Sequence, residues 1–456
     1  MNTFLKQYSK SLKWVASIVM MAVISAPAYA VVEGISDSIV AGAPEFNLTA
    51  SEGYITTPDG DSLLIWGYAV IGGVMQYPGP TMIVNQGDVV TVNLTNSLNE
   101  TNPLGIKTSM IFPGQQNVTV TGGTAGLITN ETNGPLDVVT YTFTATTPGT
   151  YMYQSGTSQT TQLEMGLIGT IIVRPTLPAT TTTTQAYTTA DSAYDYEYLF
   201  VLTEMDPQIH YAVEFANSPA DIEAIDNTEH HPVLWFINGR NGPDTVAPSN
   251  APYLPYQPMG SLAQVHPGDT ALIRFVNAGR DLHPFHTHGN HFKMLARDGR
   301  LLQSNPAATS ADLAREDFTL QAVPGATYDV LWGWTGEKLG WDIIGDVAAD
   351  PASAHTCDTP NGYDTVTKEY CPDHNKPFPT TRTNQAELSF GGFYSGSPFL
   401  GAFASLPPGE GGLNLSGGMF YMWHSHNERE IVNNDIYPGG MLTMMIVEPF
   451  NVVIAK

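Results

Sequence analysis

Alternation of apolar and polar positions along the chain predicts β-strands. The pattern is clearest in GDVVTVNLTN, at Gly87–Asn96, and in GDTALIRFVN, at Gly268–Asn277. In both stretches a Gly-Asp turn opens a segment whose alternate residues are apolar, as expected of a strand with one buried face. The two stretches lie 181 positions apart. This spacing indicates an internal repeat.

Two further pairs of segments support the repeat. YMYQSG at Tyr151–Gly156 matches YMWHSH at Tyr421–His426, and GLIGTIIVRP at Gly166–Pro175 matches GMLTMMIVEP at Gly440–Pro449. Segments that recur in the same order indicate a duplicated structural unit. We therefore predict an all-β chain made of two β-sandwich domains.

Composition gives the boundaries of the two domains. Residues 176–194 begin with TLPATTTTTQAYTTA, a Thr-rich stretch with little to bury that suits an exposed linker. The first domain then covers about 40–175 and the second about 195–456. From about 336 to 418 the second domain has long loop-like stretches, which we interpret as a surface insertion.

Residues 1–30 have the composition of a secretory signal. Basic residues come first, an apolar run follows from Trp14 to Ile24, and a small-x-small cleavage pattern ends at Ala30. The alternative is a membrane anchor, but the apolar run is about half of the ~20 residues needed to span a bilayer. No later segment is long and apolar enough to do so. We predict export to the periplasm or the extracellular space.

Charge and cysteine content narrow the partners. The chain has 43 acidic residues against 18 basic ones, a formal charge of −25. Such a surface repels nucleic acid and anionic lipid and favours cations. Cys357 and Cys371 are 14 positions apart, which in an exported protein predicts one local disulfide. A metal-binding pair is the less favoured alternative, because no C-x-x-C spacing occurs.

Closely spaced histidines give the main functional signal. His286 and His288, in HPFHTHGNH, follow strand spacing and point the same way, and His424 and His426, in YMWHSHNE, repeat that spacing. Neutral imidazole is a favoured ligand of copper and zinc, so two facing pairs predict a metal site. The alternative is a set of stacked or hydrogen-bonded histidines within a sheet.

All 12 histidines lie between His210 and His426, so the first domain has none. Any imidazole-rich site is therefore built by the second domain, from this chain or from a neighbouring subunit. The histidines outside these motifs are expected to be ordinary surface or hydrogen-bonded residues; they include His230, His231, His266, His291, His355 and His374.

Taken together, these motifs resemble a multicopper oxidase built from two cupredoxin domains. The resemblance spans nearly the whole mature chain and rests on PGPT at Pro78–Thr81, NGR at Asn238–Arg240, PGD at Pro267–Asp269, HPFHTHG and HSH…GGM. It implies an eight-stranded Greek-key sandwich in each domain. It also implies copper chemistry that couples a small reductant, such as a phenol or a metal ion, to dioxygen.

The resemblance assigns copper ligands residue by residue. It implies that His283 is a type 1 ligand and that His286 is a type 2 ligand. The implied type 3 ligands are His288, His424 and His426. The family also implies association of three subunits, which would place the site at a subunit interface.

Several family ligands are absent from this chain. Ser425 replaces the type 1 cysteine, and Glu430 stands where the second type 1 histidine would fall. Met441 matches the axial position. The first motif appears as IFPG, ending at Gly114, and the second as QSG, ending at Gly156, so neither offers an imidazole.

These departures make a standard four-copper oxidase improbable. A blue copper site needs a cysteine thiolate, which a serine hydroxyl cannot replace. The full oxygen-reducing cluster needs eight imidazoles, and four of them remain. We predict a mononuclear or dinuclear copper site from these four, with His283 and Met441 as secondary candidates. Zinc suits four nitrogens equally well.

Two functions follow, and the sequence leaves both open. The first is an exported copper-dependent oxidoreductase that works with a reduced copper set. The second is a non-catalytic cupredoxin-like protein of the envelope or extracellular space, with a metal-binding, structural or interaction role. No catalytic residue is assigned in either case.

Overall fold

The computed structural model describes residues 32–36, 42–98, 105–345, 347–348, 351–378, 395–396, 399–401 and 416–455. The predicted signal, residues 1–30, lies outside the described residues. Within the described part of the chain, no helix has the length and apolar character needed to cross a bilayer.

The first half of the chain folds into two facing sheets and a small hairpin. Its strands are β1 (Glu45–Thr56), β2 (Ser62–Val70), β3 (Met82–Asn85), β4 (Val89–Asn96), β5 (Thr119–Gly122), β6 (Thr124–Ala125), β7 (Asn130–Glu131), β8 (Val138–Thr144), β9 (Gly149–Gln154) and β10 (Ile168–Arg174). One sheet has the order β2-β1-β4-β8-β5 and the other β3-β10-β9, while β6 and β7 pair with each other.

The second half is also a pair of sheets. Its strands are β11 (Tyr196–Met205), β12 (Leu234–Ile237), β13 (Ala263–Val265), β14 (Thr270–Asn277), β15 (His283–Thr287), β16 (Phe292–Arg297), β17 (Arg300–Leu301), β18 (Arg315–Asp317), β19 (Thr319–Ala322), β20 (Thr327–Gly333), β21 (Ser395–Gly396), β22 (Met419–Ser425) and β23 (Leu442–Val447). One sheet has the order β12-β11-β14-β20-β16-β17, with β18 on β16. The other has the order β13-β23-β22-β15-β19, with β21 on β22.

The two halves repeat the same arrangement of strands. In the first, β1 runs parallel to β4 and β4 antiparallel to β8; in the second, β11 runs parallel to β14 and β14 antiparallel to β20. The last matching segments of the two halves, which form β10 and β23, also have the same kinds of neighbour. Each of these strands lies between one parallel and one antiparallel strand. The all-β prediction of two sandwich domains is confirmed.

Helices are short and connect the strands. The α-helices span Gln159–Glu164, Pro207–Glu214 and Pro219–Glu223, and 3₁₀ turns span Ala190–Ser192, Asp244–Val246, Pro351–Ser353, Cys371–Asp373 and Glu428–Ile431. Asp206 caps the longest helix by accepting a hydrogen bond from the Gln208 amide. The helices therefore serve as connections, and the strands position the candidate site residues.

A large apolar cluster fills each sandwich, and a third lies between the two. The third includes Tyr77 from the first half and Phe236 from the second, whose rings meet edge to face. Beside it, the fully buried Arg274 bonds Glu197, Asp329 and the Thr150 hydroxyl of the first half. An apolar contact and a buried ionic network thus join the domains.

Two segments that were expected to be exposed also contain buried residues. In the Thr-rich linker, Ala186 and Tyr187 are buried, because they pack into a small apolar cluster with the second domain. In the loop-rich insertion, Ile343 and Leu400 belong to the main core of the second domain. The insertion is therefore anchored in the core, although parts of it lie outside the described residues.

Candidate metal centre

Two neighbouring strands carry the histidine pairs. β15 and β22 are antiparallel neighbours, and His286 lies directly opposite His424 in their register. Residues directly opposite on one face of a sheet have Cβ atoms about 5 Å apart. His288 follows the end of β15 and His426 follows the end of β22. Because the two strands are antiparallel, these two residues flank the His286–His424 pair from opposite ends.

The four imidazoles form one cluster. The ring centroid of His286 lies 4.9 Å from His288, 5.6 Å from His424 and 4.9 Å from His426. His288 and His424 approach with their Nε2 atoms 3.2 Å apart. No three of these four rings place nitrogens within 4.8 Å of one another. The cluster therefore consists of one close pair, His288 and His424, flanked by the rings of His286 and His426.

Neighbouring groups hold these rings in place. The Thr319 hydroxyl lies 2.7 Å from Nδ1 of His286, and Nδ1 of His424 donates to the carbonyl of Ser425 at 2.7 Å. The Trp423 indole donates to the carbonyl of His288 at 3.1 Å. Partners on the ring nitrogen that faces away from a site are typical of metal-binding histidines, because they fix the orientation of the ring.

The surroundings keep two of the imidazoles neutral. Burial, with a smaller effect of the neighbouring His288 and His426, lowers the pKa of His286 to about 4. Burial and the neighbouring imidazoles together lower the pKa of His424 to about 4, although its hydrogen bond to the Ser425 carbonyl opposes the shift. A neutral imidazole keeps the lone pair that a metal needs.

One side of the cluster is open to solvent. His424 is buried and His286 and His288 are half-buried, whereas His426 is exposed. Phe318 lies beside His286, with ring centroids 5.6 Å apart, and is 55% exposed. An ion and a small reductant therefore have access from this side.

The opposite face holds His283 on β15 and Ser425 on β22, with Met441 just before β23, and all three are fully buried. Strand alternation explains this separation, because β15 is buried at His283 and half-buried at His286. Nδ1 of His283 lies 2.9 Å from Glu430, and Nε2 lies 2.9 Å from Glu204. The structure therefore does not bring His283 into the four-histidine cluster.

Ser425 completes this buried polar group. Its hydroxyl donates to Oε2 of Glu430 at 2.5 Å, and Asn427 donates to Oε1 at 2.8 Å. Although burial lowers the pKa of His283, its hydrogen bonds to both glutamates outweigh that effect and raise the pKa to about 9. His283 is therefore an imidazolium ion held between two carboxylates.

Met441 lies next to this group. Its backbone bonds Ser425 on one side and Glu430 on the other, while its side chain belongs to the main apolar core.

Glu204 is a member of this buried polar group that the sequence did not indicate. It sits in the apolar run YLFVLTEM of β11, and no motif marks it.

The positions of the first domain that match the histidine motifs contain no imidazole. Ile111 and Gln154 pair through two backbone hydrogen bonds of 2.8 and 3.1 Å, which brings the IFPG and QSG segments together. The Ser155 side chain bonds Gln162. The first domain thus keeps the scaffold of these motifs without an imidazole.

Comparisons with known proteins concern the family and the fold. One multicopper oxidase family model matches residues 67–177 and a second matches residues 224–335. A search of curated proteins finds no match to the chain.

Solved structures show the same fold. The blue copper oxidase from Nitrosomonas europaea is 18% identical, with a TM-score of 0.51, over 88% of this chain and 85% of that one. The multicopper oxidase mgLAC is 17% identical, with a TM-score of 0.51, over 90% of this chain and 88% of that one. The chain belongs to the multicopper oxidase family, of the type with two cupredoxin domains.

Proposed function

We propose that this chain is an exported copper-binding protein whose copper site is formed by His286, His288, His424 and His426. The observation that carries the proposal is the 3.2 Å approach of Nε2 of His288 to Nε2 of His424, inside a cluster of four imidazoles. Two nitrogens bound to one ion lie about 3 Å apart, given metal–nitrogen bonds of about 2.0–2.1 Å.

The donor set fits copper. Imidazole nitrogen suits both copper and zinc, and family membership favours copper. The His288–His424 pair supplies the first two ligands. His286 and His426 complete the coordination of that ion after small side-chain rotations, or they hold a second ion.

His283 and Met441 are left out of the proposed ligand set. An imidazolium ion has no free lone pair, and both nitrogens of His283 face carboxylates. Met441 packs in the apolar core beside Ser425, where no thiolate is present. The family's type 1 position is thus filled by a hydrogen-bonded polar group in place of a metal site.

This arrangement supports oxidation at the four-histidine site itself. Bound copper supplies one-electron redox chemistry there. The chain's own residues bind the ion as neutral imidazoles, orient the rings through Thr319 and the Ser425 carbonyl, and leave the His426 side open to a small reductant and dioxygen. Without a type 1 copper, the reductant must reach this site directly.

The exposed side also fits an interface between subunits. Phe318, an exposed aromatic residue, borders the cluster, and family resemblance suggests a trimer. A second copy covering this side would change how a reductant reaches the site. The molar mass of the protein in solution, measured by light scattering, tests this part of the proposal.

The enzymatic part is tested by oxygen uptake. Copper-loaded protein is mixed with a phenol or with Cu⁺, and dioxygen consumption is followed alongside the His424→Ala variant. The expected result is uptake that depends on copper and is lost in His424→Ala. The matched control His231→Ala removes an exposed imidazole outside the cluster and retains full uptake.

A second function is favoured by one observation. The buried Ser425–Glu430–His283 group occupies the place of the family's electron-accepting copper, so no internal relay leads to the four histidines. A static copper-binding protein needs no relay. Stoichiometric copper without oxygen uptake for any reductant would favour this function over the enzyme.

A further inference from the structure

Four side chains of the loop-rich insertion meet at a second point. Nε2 of His355 lies 2.9 Å from Glu369 and 3.6 Å from Asp342. Nδ1 of His374 lies 3.3 Å from each of these two carboxylates. One ligand atom from each residue falls within 4.8 Å of all the others. This convergence is tighter than that of the four-histidine cluster.

Two of the converging atoms are buried without a hydrogen bond. Among the described residues, neither Oε1 of Glu369 nor Nδ1 of His374 has a hydrogen-bond partner of acceptable geometry. Glu369 is 2% exposed. Leaving a buried polar atom unpaired is unfavourable, and more so for a charged group, so both atoms are expected to have a partner.

The other ligand atoms are oriented toward the same point. Nδ1 of His355 donates to the carbonyl of Ser353 at 2.8 Å, which leaves its Nε2 lone pair facing the carboxylates. The two oxygens of Asp342 accept from the backbone amides of Ile344 and Asn375, at 2.9 and 2.7 Å. The cluster is therefore held by its own loop.

The charge of the cluster also favours a bound cation. Asp342 and Glu369 are both buried, and within the described chain no lysine or arginine pairs with either. Lys376, which is nearby in sequence, bonds Asp373. A divalent ion would balance the two carboxylates. Two imidazolium ions would also do so, but their rings lie only 4.6 Å apart and like charges repel.

We infer that Asp342, His355, Glu369 and His374 bind one divalent transition-metal ion of the zinc class. Bond lengths of about 2.0–2.2 Å in a tetrahedral site place neighbouring ligand atoms about 3.3–3.6 Å apart. The imidazole–carboxylate separations, 2.9 to 3.6 Å, are near that size, and one ligand atom from each residue lies within 4.8 Å of all the others. Four protein ligands leave no open position, so this is a structural site.

The site ties the insertion to the body of the second domain. The Cys357–Cys371 disulfide closes the same loop, with 5.7 Å between its Cα atoms, and confirms the predicted pairing. Trp341 and Ile343, on either side of Asp342, are buried. The metal and the disulfide together fix a segment that has few strands of its own.

The sequence expectation for two histidines changes accordingly. His355 and His374 were expected to be ordinary hydrogen-bonded residues, because no motif surrounds them. The structure brings them together with Asp342, which is 13 positions before His355. The disulfide explains the gathering, since it draws His355 toward Glu369.

Zinc binding to the full-length protein tests this inference. The His288→Ala/His424→Ala double variant removes the other metal site and serves as the background. After chelation and dialysis against Zn²⁺, we expect about one bound zinc per chain in this background. Adding Glu369→Gln or His355→Ala is expected to abolish it, whereas His231→Ala leaves it unchanged.

A second measurement covers variants that fold poorly. Co²⁺ added to the chelated background protein is expected to give the intense visible absorption of tetrahedral cobalt, and Zn²⁺ is expected to displace it. Lack of zinc binding in the background, equal binding in a folded Glu369→Gln variant, or a weak octahedral cobalt spectrum would each overturn the inference. None of these outcomes bears on copper binding by the four histidines.

Discussion

The Ser425 hydroxyl donates a 2.5 Å hydrogen bond to Glu430, and the sequence resemblance to multicopper oxidases would assign both positions to type 1 copper ligands. Both residues depart from the family pattern, and they compensate for each other. A cysteine-to-serine change alone would leave a buried hydroxyl, and a histidine-to-glutamate change alone would leave a buried carboxylate. Together with His283 and Glu204 they form a closed, charge-paired group.

Restoring both residues is expected to restore a blue copper site. In the Ser425→Cys/Glu430→His variant, Nδ1 of His283 loses its carboxylate partner and faces a thiolate, a second imidazole and Met441. We expect additional bound copper and the blue absorption band of a copper–thiolate bond. Ser425→Cys alone should give no blue band, because Glu430 still binds His283. A blue band in the single variant would contradict this account.

Stability is expected to fall at alkaline pH because of His283. Its pKa is raised to about 9 in the folded chain, from 6.5 when unfolded. The stabilisation is complete below pH 6.5 and is lost as pH rises through about 9. This shift corresponds to about 3 kcal/mol of unfolding free energy.

Urea unfolding at pH 6 and pH 10 measures this loss. The His283→Gln variant should lack that part of the pH dependence. An identical alkaline slope in His283→Gln and the parent chain would show that His283 is not the titrating group.

Breaking the buried ionic group is expected to be costly. Glu204→Gln removes one of the two carboxylates beside a fully buried imidazolium ion. Loss of one partner from a buried pair costs about 3–5 kcal/mol, because the remaining charge is left uncompensated. Urea unfolding at pH 7 measures this cost. The surface control Glu229→Gln should change stability by less than about 0.5 kcal/mol.

The sequence predicted the features of the structure that depend on residues close together in the chain, and it did not predict contacts between distant residues. Alternation in GDTALIRFVN predicted β14, and two His-x-His pairs predicted a cluster, because strand geometry is local. Glu204 could not be found this way, since it lies in an apolar strand and meets His283 only through the fold. Asp342 and Glu369 were missed for the same reason: they meet across a loop.

Copper affinity is expected to depend on Thr319, which lies 2.7 Å from Nδ1 of His286. Thr319→Val removes this partner and should weaken copper binding by about 10- to 100-fold. Thr319→Ser keeps the hydroxyl and should retain the affinity. Competition with a copper chelator gives both values. Equal affinity in Thr319→Val and the parent chain would show that His286 does not bind the metal.

Copper binding should also persist in mild acid. His286 and His424 have pKa values of about 4, so protons compete with copper at these two ligands only near and below that pH. Ordinary histidines, with pKa values near 6.5, meet this competition about 2.5 pH units higher. From pH 7.5 down to pH 5, a copper titration should therefore show a smaller loss of affinity than four ordinary histidines would give. Loss of binding near pH 6.5 would contradict the assignment.

Copper content of full-length protein, compared between the parent chain and single histidine variants, tests the central claim most directly. After copper loading and dialysis, the parent chain and His231→Ala should retain tightly bound copper. In a Glu369→Gln background, which lacks the second proposed metal site, His288→Ala and His424→Ala should lose it, because each removes one nitrogen of the pair that is 3.2 Å apart. Retention of the same tightly bound copper when His424→Ala is added to that background, or none in the background itself, would contradict the account.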